Sequence, residues 1–159
     1  MSLTAALPHD LETLADSLSA SADELHERIM RGIRQQQRLE SSNGKDGPAP
    51  LTHGAAQALF ENEVALRQQA NSLYVDAASH SLEGMGVTLP DLLRLAAEAR
   101  DTIRRINRVK ELAGISADLL AVAAAIVAAR PEHLAAPLES LKKQLAAPRS
   151  LGQLLPQLQ

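Results

Sequence analysis

The sequence predicts an all-α protein, an antiparallel bundle of four to five helices. Alanine and leucine, both strong helix formers, are its commonest residues, and β-branched residues are too few to line a sheet. Apolar residues recur every three or four positions over long stretches. With one Phe, one Tyr and no Trp, leucine must supply most of the core volume. The 159 residues are expected to form a single helical domain over 1–159.

The first predicted helix follows Pro8 and spans about 30 residues with one apolar face. The face is formed by Leu11, Leu14, Leu18, Ala22, Leu25, Ile29 and Ile33. Acidic residues lie near its start and arginines in its C-terminal half, the polarity that the helix dipole favours. Because such a helix is longer than the later ones, Leu11–Ile33 is also a candidate homodimer seam.

The segment 41–53 combines two glycines, two prolines and a polar cluster, so it predicts a flexible loop. Thirteen residues are many for a connection within a bundle. A loop of this length either carries a function or is simply mobile, and mobility is the favoured interpretation.

The second predicted helix, Gly54–Glu83, carries two adjacent apolar stripes. One consists of Leu59, Leu66, Ala70, Leu73 and Ala77, and the other of Phe60, Val64, Tyr74 and Ala78. Two adjacent stripes predict a wide buried face that contacts more than one neighbouring helix. If one of the two aromatic rings were instead exposed, it would become the first candidate for contact with a partner.

Three further helices are predicted after a break at residues 84–86. Thr88 caps a third helix that runs to Ala113 with Gly114 as its C-terminal cap. A fourth helix over Ala117–Ala129 is apolar almost all round, so residues 115–130 are expected at the centre of the bundle. Pro131 then opens a fifth segment over Glu132–Ala147, which Pro137 is expected to kink or split. Residues 148–159 form a candidate loosely docked tail.

An arginine series on the third helix is the strongest local signal in the sequence. Arg100, Arg104 and Arg108 repeat at i, i+4 and i+8, and like charges at that spacing oppose a helix. The favoured interpretation is a solvated face balanced by nearby acids. The functional interpretation makes these three residues the partner-binding site for an anionic surface, either an acidic surface of another protein or phosphate.

Motifs for catalysis and for metal binding are missing from the sequence. The absence of cysteine excludes thiol nucleophiles and thiolate metal sites. The nearest approach to a metal motif is Asp23-x-x-His26, but His26 lies among charged residues and is predicted to be solvated. We therefore expect no enzyme, no catalytic, cofactor-binding or metal-binding residues, and no cofactor.

Nucleic acid and membranes are also disfavoured as partners. Two aromatic residues cannot form a base-stacking platform. The segment 111–116 is similar to the turn of a helix-turn-helix, but the helix after it has no side chain that donates to a base edge, so no sequence-specific nucleic-acid binding is expected. The chain lacks a signal-peptide pattern, and Asp118 interrupts its most apolar segment, which predicts a cytoplasmic protein and makes a membrane span an unfavoured interpretation.

These observations together favour a non-enzymatic, bacterial-type interaction protein that binds another protein through its helix faces. An adaptor, a secretion chaperone and a toxin-neutralising partner all fit this description. One alternative is a membrane-active protein that exposes its Ala/Leu-rich fourth helix on lipid. A second alternative is an enzyme or small-ligand binder with a pocket in the bundle core.

Overall fold

The computed structural model describes residues 8–42, 51–75, 82, 84–106 and 108–154. Over these residues the chain forms five α-helices and no strand, which confirms the all-α bundle. The helices are α1 (Pro8–Ser42), α2 (His53–Val75), α3 (Leu89–Arg105), α4 (Val109–Val127) and α5 (Ala135–Leu154), with a 3₁₀ turn at Pro131–His133.

Four of the helices enclose the core, and α5 packs against the fourth. α1 packs against α2 and α3, α2 packs against α4, and α3 also touches α4, so α1, α2, α4 and α3 form the four sides of the bundle. α1 and α2 are antiparallel, since Asp16 of α1 bonds Tyr74 whereas His26, later in α1, bonds Glu63. α5 lies along α4 and also reaches α3.

Leucine, isoleucine and alanine fill the core, as the composition predicts. The fully buried large side chains include Leu18, Leu66, Ile103, Ile115 and Leu141, which come from all five helices. Alanines between them allow the helices to approach closely. The predicted hydrophobic helix is α4, whose apolar residues are enclosed by α2 and α5. Among the described residues, no helix is long and apolar enough to cross a membrane.

The two ends of the predicted loop 41–53 belong to helices, since residues 41–42 lie in α1 and residue 53 begins α2. α1 continues through Ser42, and residues 43–50 lie outside the described residues. On the other side, Leu51 is buried against Gly32, where an added Cβ would lie only 2.9 Å from the Leu51 Cδ2 atom. Thr52 Oγ1 accepts a hydrogen bond from the Ala55 N–H at 3.1 Å and so caps the start of α2.

The predicted boundary between the third and fourth helices is wrong. α3 ends at Arg105, several residues before the expected end, and α4 begins at Val109. Ile106 adopts an extended conformation and is buried, so the chain turns at this point to keep that side chain in the core.

The predicted C-terminal cap Gly114 lies inside α4 rather than at a helix end. The Gln144 side chain of α5 occupies the space that a Cβ at this position would need.

The turn before α3 confirms the sequence prediction. Gly84 and Gly86 have positive φ angles of 76° and 74°, which glycine adopts without strain. Thr88 Oγ1 then accepts a hydrogen bond from the Asp91 N–H at 3.3 Å, and Pro90 lies in the first turn of α3, where no N–H is needed.

The predicted fifth segment, Glu132–Ala147, is split in the structure, but the break lies before Pro137, since a 3₁₀ turn at Pro131–His133 precedes α5, which begins at Ala135. Pro137 is the third residue of α5, in a turn whose N–H groups have no partner within the helix, so proline costs little there. α5 is one helix through Leu154. Of the predicted tail 148–159, residues 148–154 belong to α5 and residues 155–159 lie outside the described residues.

A two-bond cap closes the C-terminal end of α4. The Arg130 N–H bonds the Ala125 carbonyl at 3.0 Å and the Ala129 N–H bonds the Ile126 carbonyl at 3.1 Å. This Schellman pattern requires a left-handed residue, and the residue in that position is Ala129, with φ 53°. An alanine there is strained because its Cβ approaches the following carbonyl oxygen.

We therefore expect Ala129→Gly to stabilise the protein, by about 1 kcal/mol in the free energy of unfolding measured in urea. The matched control is Ala121→Gly in the exposed middle of α4, which should destabilise the protein by about 1 kcal/mol because the backbone there is an ordinary helix. A destabilising effect of similar size at both positions would contradict the assigned cap.

Candidate partner-binding groove

The two apolar stripes predicted on α2 have different environments in the structure. Leu59, Leu66, Ala70 and Leu73 of the first stripe are buried, as expected. The described residues of the second stripe are not buried: Val64 is 54% exposed and Tyr74 is 38% exposed, while Phe60 is half-buried. The last predicted residue of each stripe, Ala77 and Ala78, lies outside the described residues. The expectation of one wide buried face is therefore wrong. α1 and α4 cover two sides of α2, and no other described helix covers the side that carries the second stripe.

A surface groove lies between α1 and α2 beside Phe60 and Val64 of the second stripe, and we call it the α2 groove. Its volume is ≈ 770 Å³, within the range of about 300–1,000 Å³ that is usual for binding pockets. Its apolar lining consists of Ile33, Leu51, Ala56, Phe60, Val64 and Ala65, and its polar lining of Gln36, Gln37, His53, Gln57, Glu61 and Gln68. The part of α2 from His53 to Gln68 is about 22 Å long at 1.5 Å per residue.

A buried carboxylate joins α1 to α2 beside this groove. The Glu63 side chain is only 8% exposed, and its Oε1 atom accepts from Arg67 Nη2 at 3.0 Å and from Arg67 Nε at 3.3 Å. Its Oε2 atom lies 3.1 Å from His26 Nδ1 of α1. Arg67 in turn forms an ion pair with Asp23 of α1, with 2.8 Å between Nη1 and Oδ1. We call these four residues the seam network.

The charges of the seam network stabilise one another. The pKa of Arg67 is raised, first by its hydrogen bond to Asp23 and further by its hydrogen bond to Glu63. A carboxylate as deeply buried as Glu63 needs such partners, because an unpaired buried charge is strongly destabilising. The network therefore fixes the position of α1 along α2.

The seam network also positions the aromatic wall of the groove. The His26 ring packs against Phe60, with 6.0 Å between the ring centroids and a tilt of 56°. The His26 side chain is half-exposed. Its Nδ1 atom contacts Glu63 and its ring packs on Phe60, so it is held in place rather than simply solvated as predicted. Among the described residues, no group of three potential metal ligands converges here or elsewhere.

Tyr74 closes the seam at its other end. Its hydroxyl donates a hydrogen bond to the Asp16 carboxylate of α1. This hydrogen bond, together with some desolvation and the Asp16 charge, raises the pKa of the Tyr74 phenol above its ordinary value. The exposed ring thus serves as a link between helices rather than as a core anchor.

The three arginines predicted to bind a partner do not form one stripe. Arg100 and Arg104 lie on α3, but Arg108 follows the end of that helix and directly precedes α4. Arg104 binds Glu24 of α1, with its Nη2 and Nε atoms 2.8 and 3.1 Å from Oε1. Arg108 lies 3.5 Å from Glu111, and Arg100 is half-buried. Two of the three therefore already pair with carboxylates of this chain.

Sequence reasoning did not identify Glu63, although the pattern contained a signal for it. Glu63 lies four residues after Leu59 and three before Leu66, which is the spacing of the buried stripe, and Arg67 follows it at i+4. An acid at a core position with an arginine one turn later indicates a buried ion pair.

Comparisons of the chain with protein-family models, with curated proteins and with solved structures found no match.

Removal of the buried carboxylate should lower stability far more than removal of an exposed one nearby. We expect Glu63→Ala to lower the free energy of unfolding by about 2 kcal/mol, because Arg67 and His26 lose a charged hydrogen-bond partner. Glu61→Ala, on the exposed part of the same helix turn, should change it by less than about 0.5 kcal/mol. Urea denaturation of both variants measures the difference, and equal effects would show that the seam network contributes nothing specific.

The single tyrosine makes its own pKa directly measurable, because the chain has no other tyrosine and no tryptophan. Titration followed by tyrosinate absorbance should give a higher midpoint for the folded protein than for the chain in denaturant, and Asp16→Asn should reduce the difference. Since the folded pKa is the higher one, this bond's contribution to stability is complete below the unfolded pKa of about 10 and is lost as the pH rises through the folded pKa. Identical midpoints in the two states would contradict the hydrogen bond.

Proposed function

We propose that this protein is a non-enzymatic interaction module that binds a helical segment of another protein in the α2 groove. The observation that carries the proposal is the second apolar stripe of α2, where Val64 is 54% exposed and the half-buried Phe60 lines the groove, with no other described helix over them. Adaptors, secretion chaperones and toxin-neutralising partners all work by binding of this kind.

The dimensions and the lining of the groove fit a helix. An amphipathic helix binds a groove through apolar residues at i, i+3 or i+4, and i+7, which needs an apolar floor at least two turns long. The apolar lining on α2 runs from Ala56 to Ala65, which is about 13 Å, or two and a half turns, at the usual rise. Among its glutamines, Gln68 is exposed, carries no charge and has both a donor and an acceptor for the polar edge of a bound helix.

The polar groups near the groove favour binding over chemistry. His53 and Glu61 both line the groove, but they lie eight residues apart on α2, about 12 Å along the helix. The described histidine and carboxylate near it that contact each other are His26 and Glu63, and both oxygens of Glu63 are engaged by Arg67 and His26. A general base needs a free lone pair that faces its substrate. The seam network instead holds the Phe60 wall in place before a partner arrives, which reduces the entropic cost of binding.

We assign the partner to the groove rather than to Arg100, Arg104 and Arg108. Arg104 and Arg108 would have to leave Glu24 and Glu111 before they could bind a new carboxylate. Exposed ion pairs are individually weak, so exchange of one such pair for another yields little affinity. Burial of the apolar lining of the groove by a partner would contribute more binding free energy than such an exchange of ion pairs.

A fluorescent label in the groove can test the proposal, because the chain contains no native cysteine. Gln57→Cys, labelled with an environment-sensitive dye, would be titrated with a four-turn synthetic helix that carries leucine on one face. A peptide of the same composition with its leucines spread around the helix is the control ligand. We expect a saturable blue shift for the amphipathic peptide only.

Two valine variants determine whether that signal comes from the groove. Val64→Asp places a charge on the apolar lining and should weaken binding at least about tenfold. Val75→Asp is the matched control, since Val75 is 81% exposed on the same helix and does not line the groove. Equal binding by the two peptides, or an undiminished affinity in Val64→Asp, would overturn the proposal.

A further inference from the structure

A glycine in the interior of α1 lies next to the lining of the α2 groove. Gly32 directly precedes Ile33, which lines the groove, and α1 continues beyond it to Ser42. A glycine inside a helix costs stability relative to alanine, because its unfolded backbone has more freedom to lose. Gly32 does not have the positive φ angle that Gly84 and Gly86 adopt. The conformational freedom of glycine therefore does not explain why this residue lies here.

A close contact with Leu51 explains it. A Cβ atom at position 32 would lie 2.9 Å from the Leu51 Cδ2 atom, 3.5 Å from its Cβ and 3.7 Å from its Cγ. Carbon atoms in contact are normally about 3.5–4.0 Å apart, so the first of these distances is a clash and the other two are ordinary contacts. The Leu51 side chain thus lies flat against α1 at a position where α1 has no side chain.

The start of α2 holds the backbone beside Leu51. Thr52 Oγ1 accepts a hydrogen bond from the Ala55 N–H at 3.1 Å, and the Thr52 carbonyl accepts one from the Ala56 N–H at 2.9 Å. These bonds cap α2, so the backbone here cannot move away from α1 without loss of the cap. Leu51 is 9% exposed and lines the groove. A Leu51 side chain forced off α1 therefore turns into the groove, which is the open space beside it.

We propose that Gly32 is a positioning residue of the α2 groove, because the missing side chain lets Leu51 lie against α1 and so keeps the groove open for a partner. This inference rests on the proposed function and adds a determinant of what the groove admits. Gly32 acts through Leu51, whose methyl groups would occupy part of the groove if they were displaced from α1.

Two apolar residues of the groove are then fixed by contacts with α1. The Phe60 ring packs on His26, with 6.0 Å between the ring centroids, and Leu51 packs on Gly32. The first contact uses a side chain that is itself held by the seam network, and the second uses the absence of a side chain. The shape of the groove thus depends on α1, although α2 supplies most of its lining.

Gly32→Ala tests the inference in the labelled Gln57→Cys protein. The added Cβ should turn Leu51 into the groove and weaken binding of the amphipathic peptide about tenfold, which is the effect of a moderate overpacking penalty. Gly54→Ala on α2 is the matched control, because a Cβ at that position meets no atom within 4 Å. It should leave the affinity unchanged. Circular dichroism of each variant checks that folded proteins are compared.

A double-mutant cycle assigns the effect to Leu51. Leu51→Val removes the Cδ2 atom that the new Cβ would meet, and Leu51→Ala also removes Cγ and leaves only the Cβ contact at 3.5 Å. In either background Gly32→Ala should change the affinity by less than about twofold, because the two sites no longer interact. Leu51→Val retains more of the core, so it keeps the cycle measurable if Leu51→Ala does not fold. Equal losses of affinity in the parent and in Leu51→Val would overturn the inference.

The methyl carbon chemical shifts of Leu51 provide a measurement without peptide. These shifts report the side-chain rotamer, so Gly32→Ala should change them and Gly54→Ala should not. A loss of affinity with unchanged Leu51 shifts would contradict the proposed role of Gly32. If the parent binds the amphipathic peptide and Gly32→Ala binds it equally tightly, the inference is wrong and the proposed function stands. If the parent does not bind this peptide, the proposed function is wrong and the inference fails with it.

Discussion

The packing of this protein depends on one buried carboxylate, Glu63, held between Arg67 of its own helix and His26 of α1. A slip of α1 along α2 by one turn would leave that charge buried without its histidine, which is strongly destabilising. Since α3 packs on α1 and α4 packs on α2, their placement depends on the same register. Leucine and alanine contacts tolerate such slips far better, because aliphatic side chains have no directional partner.

The scarcity of aromatic residues gives the α2 groove its character. Leucine and alanine fill most of the core, and the single Phe lies at its edge, where its ring packs on His26. The polar seam network thus holds one side of the ring, and the groove exposes the other. The apolar wall of the groove is therefore held in place by the hydrogen bonds of the seam network, and a partner bound as proposed would find it already formed.

Periodicity could predict the helices, the Thr88 cap, the glycine turn and the buried stripe of α2, because each of these follows from local spacing. It could not predict that Arg108 leaves the face of Arg100 and Arg104, since the chain turns at Ile106 to bury that side chain. Gly114 shows the same limit, because a glycine that ends a helix and a glycine that admits Gln144 look alike in a sequence. Spacing likewise identifies an apolar stripe without showing whether another helix covers it.

One departure from ordinary helix patterning lies at the α2 groove. Over the described residues, α2 carries an apolar side chain at Val64 that is 54% exposed and that no other helix covers. This departure costs stability, since exposure of an apolar group to water is unfavourable. α3, which covers α1 up to the Arg104–Glu24 pair, ends at Arg105 and leaves the later turns of α1 beyond its end. Natural sequences keep such costs where function requires them, and a helix bound in the groove as proposed would offset this one.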